Sequence, residues 1–262
     1  TIDRAVPVEL DLESMKIGNY NSQELIDLFI ELEFKTLGKR LLGDDFSEVS
    51  NLSGKQDSSE SVVTIKDIEH NYVLIETMQE RAELIGKLVD EKEFSFDLET
   101  TGLDVKECGI IGIAFSWEKG SGYFVKLPPQ RKLVIKILDE FDIVFRSEKL
   151  KIGHNLKFDL GVLRWHGVSV EGPFFDTMLA AALIDPDSRK SMDHLAKSLL
   201  GYQPMAISEL IGERGENQLS MELVPLEDLT LYAVEDSDIT WQLYHVLKSY
   251  NKGKSQGKYK TL

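Results

Sequence analysis

One cysteine stands in 262 residues. Cys108 therefore has no partner within the chain, which excludes a disulfide framework and a cysteine-based zinc site. In its apolar run it reads as a small buried hydrophobe. Long hydrophobic runs are missing too. None approaches the ~18 to 20 residues of a membrane-spanning helix, and Thr1 to Glu9 carries neither the basic region nor the apolar core of a secretion signal. The chain reads as soluble and cytoplasmic, without a membrane partner. Positive charge is scarce: 30 Lys and Arg face 45 Asp and Glu, a net charge of -15. That balance argues against sequence-independent coating of DNA, which needs a basic face to neutralise phosphates. The objection weakens where acids cluster around divalent cations, because the ions reverse the local field. The absence of an initiating Met, with an end on Lys258-Tyr259-Lys260-Thr261-Leu262, fits a piece of something longer.

A hydrophobic content of 42% is enough for a real core. Asn21-Ser22-Gln23-Glu24 has the spacing of a helix N-cap with a back-bonding Glu, and Leu25, Ile26, Phe29, Leu32, Leu37 and Leu41 follow at helical intervals up to Gly43. Residues 44–61 turn to Asp, Ser, Asn, Gly, Glu and Lys and read as a flexible linker. The first 43 residues are then a separate helical segment, too short for a core of its own. Beyond the linker, Tyr72 to Ile75 reads as a strand, and Thr77 with Glu80 caps a helix to about Val89. Phe94 to Leu98, Gly109 to Trp117 and Tyr123 to Leu127 read as a meander of neighbouring strands. After Pro128-Pro129 the pattern is mostly helical: Lys132 to Phe145, then, past a short apolar step at Lys151-Ile152-Gly153, Leu156 to Trp165, Asp176 to Leu183, Ser191 to Leu200, and Leu226 to Tyr250 just after Pro225. A strand-rich half followed by a helix-rich half predicts an α/β fold, a mixed sheet with helices on its faces.

Three short motifs carry chemistry. In Asp97-Leu98-Glu99 the two-residue period of a strand puts both acids on one face while Phe96 and Leu98 face the other way. Burying two carboxylates without compensation costs several kcal/mol each, so a divalent ion is the economical partner. In Gly153-His154-Asn155-Leu156-Lys157-Phe158-Asp159, Asn155 and Asp159 are four apart and share a face of the helix that begins there. Asn155 also suits a plain cap. In Tyr232-Ala233-Val234-Glu235-Asp236 the tyrosine and Asp236 stand one turn apart, and Glu235 and Asp238 compete with Asp236 for the acidic role.

In order and spacing, Phe96-Asp97-Leu98-Glu99-Thr100-Thr101-Gly102-Leu103-Asp104, Asn155-Leu156-Lys157-Phe158-Asp159, Phe175-Asp176-Thr177-Met178 and Tyr232-Ala233-Val234-Glu235-Asp236 resemble one family. It is the 3'-5' proofreading exonuclease domain of bacterial DNA polymerase I, the DEDDy group of DnaQ-like enzymes. The resemblance covers about Val63 to Tyr250. It implies a ribonuclease H-like fold and resolves the third motif in favour of Tyr232 and Asp236. Residues 62–250 would be the exonuclease domain, and 251–262 a tail leading towards a polymerase domain that this stretch does not hold. Val6 to Leu10 and Leu32-Glu33-Phe34 resemble the end of a 5'-nuclease region, which assigns 1–43.

By the same resemblance, Asp97, Glu99, Asp159, Tyr232 and Asp236 are catalytic. The four acids hold two divalent cations, Mg2+ or Mn2+, as oxygen-only ligation favours. Asp97, Glu99 and Asp236 would hold the ion that activates water. Asp97 and Asp159, the latter directly or through a water, would position the second, and Tyr232 would orient the attacking water. Thr100 and Leu103 would contact the terminal nucleotide and Asn155 its phosphate or sugar, although Leu103 also suits simple turn packing. Lys157, Arg189 and Lys190 are candidates for strand contacts. His154 and His194 read as structural. The implied substrate is a single-stranded or frayed DNA 3' end, since the terminal base must leave the duplex, and the product a nucleoside monophosphate. Three rivals remain: an RNA 3'-processing enzyme similar to ribonuclease D, a silent exonuclease fold kept as a spacer, and a DNA-end binding module. No helical RNA-binding appendage is visible for the first, the four acids argue against the second, and the acidic balance against the third.

Overall fold

A computed structural model of the chain describes residues 11, 15, 18, 21–32, 34, 37–38, 40–42, 63–213, 215 and 218–254. The expected linker 44–61, Val6 to Leu10 and the end of the tail lie outside them. The chain divides into two units, Thr1–Ser61 and Val62–Leu262.

In the first unit, helix α1 (Ser22–Glu31) starts where the sequence predicts. The side chain of Asn21 accepts from the amides of Gln23 and Glu24 at 3.2 and 3.4 Å. Ile26 and Phe29 are buried, with Leu25 and Leu42 packed against them. The helix expected to run on to Gly43 instead ends at Glu31. The Phe34 amide bonds back to the Phe29 carbonyl at 2.8 Å, a five-residue closure that interrupts the four-residue ladder, and helical residues resume at 37.

The second unit is built on a six-stranded mixed sheet of order β1-β4-β3-β2-β5-β6. Its strands are β1 (Asn71–Ile75), β2 (Glu93–Thr100), β3 (Ile110–Glu118), β4 (Ser121–Lys126), β5 (Leu150–Gly153) and β6 (Phe174–Asp176). Strands β2, β3 and β4 form the expected antiparallel meander. The parallel pairings of β1 on β4, β5 on β2 and β6 on β5 make the sheet mixed.

Helices cover both faces. On one side lie α2 (Met78–Asp90), α3 (Arg131–Glu140), α4 (Asp142–Phe145) and α5 (Leu156–Trp165). Their apolar faces, including Leu84, Leu88, Leu138 and Phe145, share a core with Phe94, Phe96 and Leu98 of β2. Thr77 and Glu80 form the expected capping box at the start of α2. The single helix expected over Lys132 to Phe145 is two, interrupted at Phe141, whose ring is wholly buried and stacks on Phe115 with centroids 5.5 Å apart. Its amide bonds to the Leu138 carbonyl at 3.0 Å, a tighter three-residue closure.

The chain then gives α6 (Thr177–Ile184), the short α7 (Met192–Leu195) continued by a π turn over Ala196–Leu200, α8 (Ile207–Ile211) and the 29-residue α9 (Leu226–Lys254). Helix α9 packs on the other face of the sheet, with Leu229, Ala233 and Val234 against Ala114 and Phe124. The approach is closest at Gly122. A Cβ on Gly122 would lie 2.5 Å from Val234 Cγ1, a distance real side chains do not tolerate. Cys108 is buried in the core as expected. Among the described residues no helix is long and apolar enough to cross a membrane.

Candidate active site

The two faces of β2 explain the site. Phe94, Phe96 and Leu98 enter the core, so Ser95, Asp97 and Glu99 must face α9. There Asp97 and Glu99 meet Asp236, and one carboxylate oxygen from each lies within 4.8 Å of the others. Among the described residues this is the one group of three or more side chains able to hold a metal ion. Asp159 approaches from α5 but stays outside that triangle. Its Oδ1 accepts from the Leu98 amide, the peptide between the two strand acids, at 3.2 Å.

The electrostatics of the four acids are those of a site built for a cation. Burial pushes the Asp97 carboxyl up to about 7. Burial, then the charges of Asp97, Asp236 and Asp159, raises Glu99 well above its ordinary range. Asp159 is raised by burial and by Asp97. Asp236 is raised by burial and by Asp97 and Glu235, against which a hydrogen bond from Tyr232 works. Glu99 Oε1 is also buried without a hydrogen-bond partner. Four buried acids whose carboxyls are all raised, one with an orphaned oxygen, and donors that are all oxygen fit a hard divalent cation.

Tyr232 stands one turn before Asp236 and faces its negative charge. Its hydroxyl is held protonated by burial and by the negative charges of Asp236, Glu99 and Asp97, so it can donate and orient but not act as a base. The two competitors for the acidic role are occupied elsewhere. Glu235 accepts from the Tyr202 hydroxyl and, at 2.8 Å, from the Met205 amide. Asp238 accepts from the Tyr72 hydroxyl at 2.8 Å, the Gly120 amide at 2.9 Å and the Gln242 side chain at 2.9 Å.

The second motif is arranged differently from its expected geometry. Asn155 lies before the helix, not within it, in the left-handed region at φ 62°, so the one-turn face shared with Asp159 does not form. Its side chain makes no cap. The cap comes from Asp176, which accepts from the amides of Asn155 at 3.2 Å and Leu156 at 2.9 Å while capping α6 through Met178 and Leu179. One carboxylate thus starts two helices, a role that sequence spacing did not reveal. Leu103 is 85% exposed, which removes the turn-packing reading. The Thr100 hydroxyl donates to the Gly102 carbonyl at 2.9 Å. Lys157 and Arg189 are exposed, whereas Lys190 donates to the carbonyls of Pro186 and Ser188 and is turned onto its own loop. His154 Nδ1 lies 2.8 Å from the Thr177 hydroxyl, and His194 lines a cavity with Ala181 and Leu247.

A mixed sheet between two helical layers, with acids gathered at the end of a central strand and on the helix that crosses it, defines the ribonuclease H-like class. Within that class the chain belongs to the 3'-5' exonuclease family, whose profile matches residues 72–250. It is 32% identical over 248 residues to the DNA polymerase I of Borreliella burgdorferi, covering 90% of this chain and 27% of that protein. It is 28% identical over 258 residues to the DNA polymerase I of Pseudomonas aeruginosa, covering 94% and 27%. The chain thus spans about a quarter of the length of these relatives, 27% of each. Two solved structures share the fold: NrnC of Brucella melitensis with bound Mg2+, TM-score 0.54 at 18% identity over 73% of this chain and 86% of that one, and the catalytic core of RRP6 from Trypanosoma brucei, TM-score 0.56 at 16% identity over 76% and 56%.

Proposed function

We propose that this domain hydrolyses phosphodiester bonds one nucleotide at a time from the 3' ends of single-stranded or frayed DNA, releasing nucleoside monophosphates. The observation that carries the reading is the meeting of Asp97, Glu99 and Asp236 within 4.8 Å, with a Glu99 oxygen buried and unpartnered. Those three acids, with Asp159 beside them, are the residues that would hold two Mg2+ or Mn2+ ions. When bound, such ions supply charge neutralisation at the phosphorus, an activated water and stabilisation of the departing 3' oxygen.

The chain's own residues do the rest. Tyr232, kept protonated, orients the attacking water with its hydroxyl. Leu103, exposed beside the strand that carries the acids, offers an apolar surface to the terminal base, and Thr100 lies between them. Asn155, with its side chain outside the capping network, is available to the terminal phosphate or sugar, and the exposed Lys157 to the next phosphate. The likeness to DNA polymerase I supports DNA over RNA as substrate and proofreading as the role. It also supports residues 1–43 as the end of a 5'-nuclease region, 44–61 as a linker, 62–250 as the exonuclease domain, 251–262 as the approach to a polymerase domain, and a cytoplasmic site of action.

The test is digestion of a 5'-labelled single-stranded DNA and its RNA counterpart with Mg2+, with Mn2+ and with a chelator. A ladder shortening from the 3' end, stronger on DNA and lost in chelator, is expected. Stronger cleavage of RNA would replace the reading with an RNA-processing one, and no cleavage under any condition would sink it.

A further inference from the structure

The acid that α9 contributes is one of four consecutive residues that each engage a different part of the molecule. Successive side chains on a helix are about 100° apart, so residues 235 to 238 point in four directions. Glu235 binds the Tyr202 hydroxyl and the Met205 amide, in the segment that leads to α8. Asp236 faces Asp97 and Glu99. Ser237 meets Ser95 of β2, whose hydroxyl donates to its carbonyl at 2.8 Å and lies 3.0 Å from its Oγ. Asp238 binds Tyr72 of β1 and the Gly120 amide in the turn between β3 and β4. Glu235, Ser237 and Asp238 are all 0% exposed, yet none belongs to the triangle of acids.

This collar answers a mechanical problem. Asp236 must face two other carboxylates, whose charge pushes it away whenever neither a cation nor a proton lies between them. A helix turning by about 20° about its axis carries a carboxylate at its rim through about 2 Å, whereas metal ligands must sit within ~0.2 Å of their places. Anchors on both sides of Asp236, to separate elements, oppose rotation in either sense.

We propose that Tyr202 and Tyr72 are positioning residues for the carboxylate site, acting through Glu235 and Asp238 to hold α9 at the rotation that directs Asp236 towards Asp97 and Glu99. The proposal rests on the reading of those acids as a divalent-cation site. Each tyrosine contributes one hydroxyl to the collar, so replacement by Phe removes one bond of its anchor, leaving the amide of Met205 or Gly120 and the ring in place.

The experiment measures Mn2+ affinity directly, from the electron paramagnetic resonance signal of free Mn2+, on the whole chain and on Tyr202→Phe, Tyr72→Phe and Tyr244→Phe. The last is the control. Its hydroxyl donates to Glu93 at 2.7 Å, two turns further along α9, so it tests loss of a similar tyrosine–carboxylate bond away from the site. Tyr202→Phe and Tyr72→Phe are expected to weaken Mn2+ binding roughly tenfold each, and to speed amide exchange at residues 233–238 in the metal-free chain. Tyr244→Phe is expected to lower Tm without changing either. Unchanged Mn2+ affinity in the first two variants, or equal weakening in all three, overturns the proposal while leaving the cation site standing. A parent chain that binds no Mn2+ sinks the cation-site reading, and the proposal with it.

Discussion

The carboxylate of Asp159 is tied at 3.2 Å to the backbone amide of Leu98, the peptide that separates Asp97 from Glu99. A side chain from α5 is thereby fixed to the strand that carries two other acids, and the hydrogen bond needs only an acceptor, not a charge. Asp159→Asn retains such an acceptor, and Asp159→Ala does not. Both are expected to lower metal-dependent hydrolysis by roughly 10- to 100-fold, while only Asp159→Ala lowers Tm in chelator. Full activity in the Asn variant would show that the charge of Asp159 has no part in the chemistry.

The acids should make the metal-free domain sensitive to pH. The Asp97 carboxyl is raised from 3.8 to about 7 in the folded chain, and Glu99, Asp159 and Asp236 are raised as well. The folded state then binds more protons than the unfolded state across that window. The contribution of Asp97 to stability is fully present below about pH 4 and is lost as pH rises through about 7, and the other three acids act in the same sense. In chelator, this cluster should make thermal unfolding easier at pH 8 than at pH 6, and a divalent cation should reverse the loss. Asp97→Asn should unfold in chelator at pH 8 no lower than the parent chain, and should be inactive with metal.

Sequence spacing conveyed a good part of this. Alternation of Phe94, Phe96 and Leu98 with Ser95, Asp97 and Glu99 was legible because strand period is strict, and the box of Thr77 and Glu80 because capping is local. The ends of α1 and α3 were not, since the breaks at Phe34 and Phe141 come from closures that helical periodicity runs straight through. Strand β6 has three residues, too few for any period to register, and its pairing with β5 is a tertiary event. At the site, choosing Asp236 over Glu235 and Asp238 needed the family resemblance. The physical reason lies in Tyr202, Met205, Tyr72 and Gly120, distant partners that helix spacing does not disclose.

Tyr232 is held protonated by its surroundings, so its part is to orient. Tyr232→Phe removes a single hydrogen bond, worth about 1 kcal/mol, and should slow turnover by roughly tenfold or less. The alkaline limb of the rate profile should be unchanged. A shift of that limb in the Phe variant would mean that the hydroxyl titrates during turnover.

Gly122 lets α9 lie close to the sheet, and an added methyl would meet Val234 Cγ1 at 2.5 Å and the Phe115 carbonyl at 2.8 Å. Gly122→Ala should cost about 1 to 3 kcal/mol by overpacking. Because the displaced helix carries Asp236, Mn2+ affinity should fall together with Tm. Loss of Tm with Mn2+ binding intact would place the strain away from the acids.

The most direct test is anomalous diffraction from crystals of the domain soaked in Mn2+. Two peaks are expected, one among Asp97, Glu99 and Asp236 and a second between Asp97 and Asp159, and neither should appear in Asp97→Ala crystals of the same form. Well-ordered crystals with no peak at these carboxylates, or with Mn2+ bound only elsewhere, would contradict the assignment of the site.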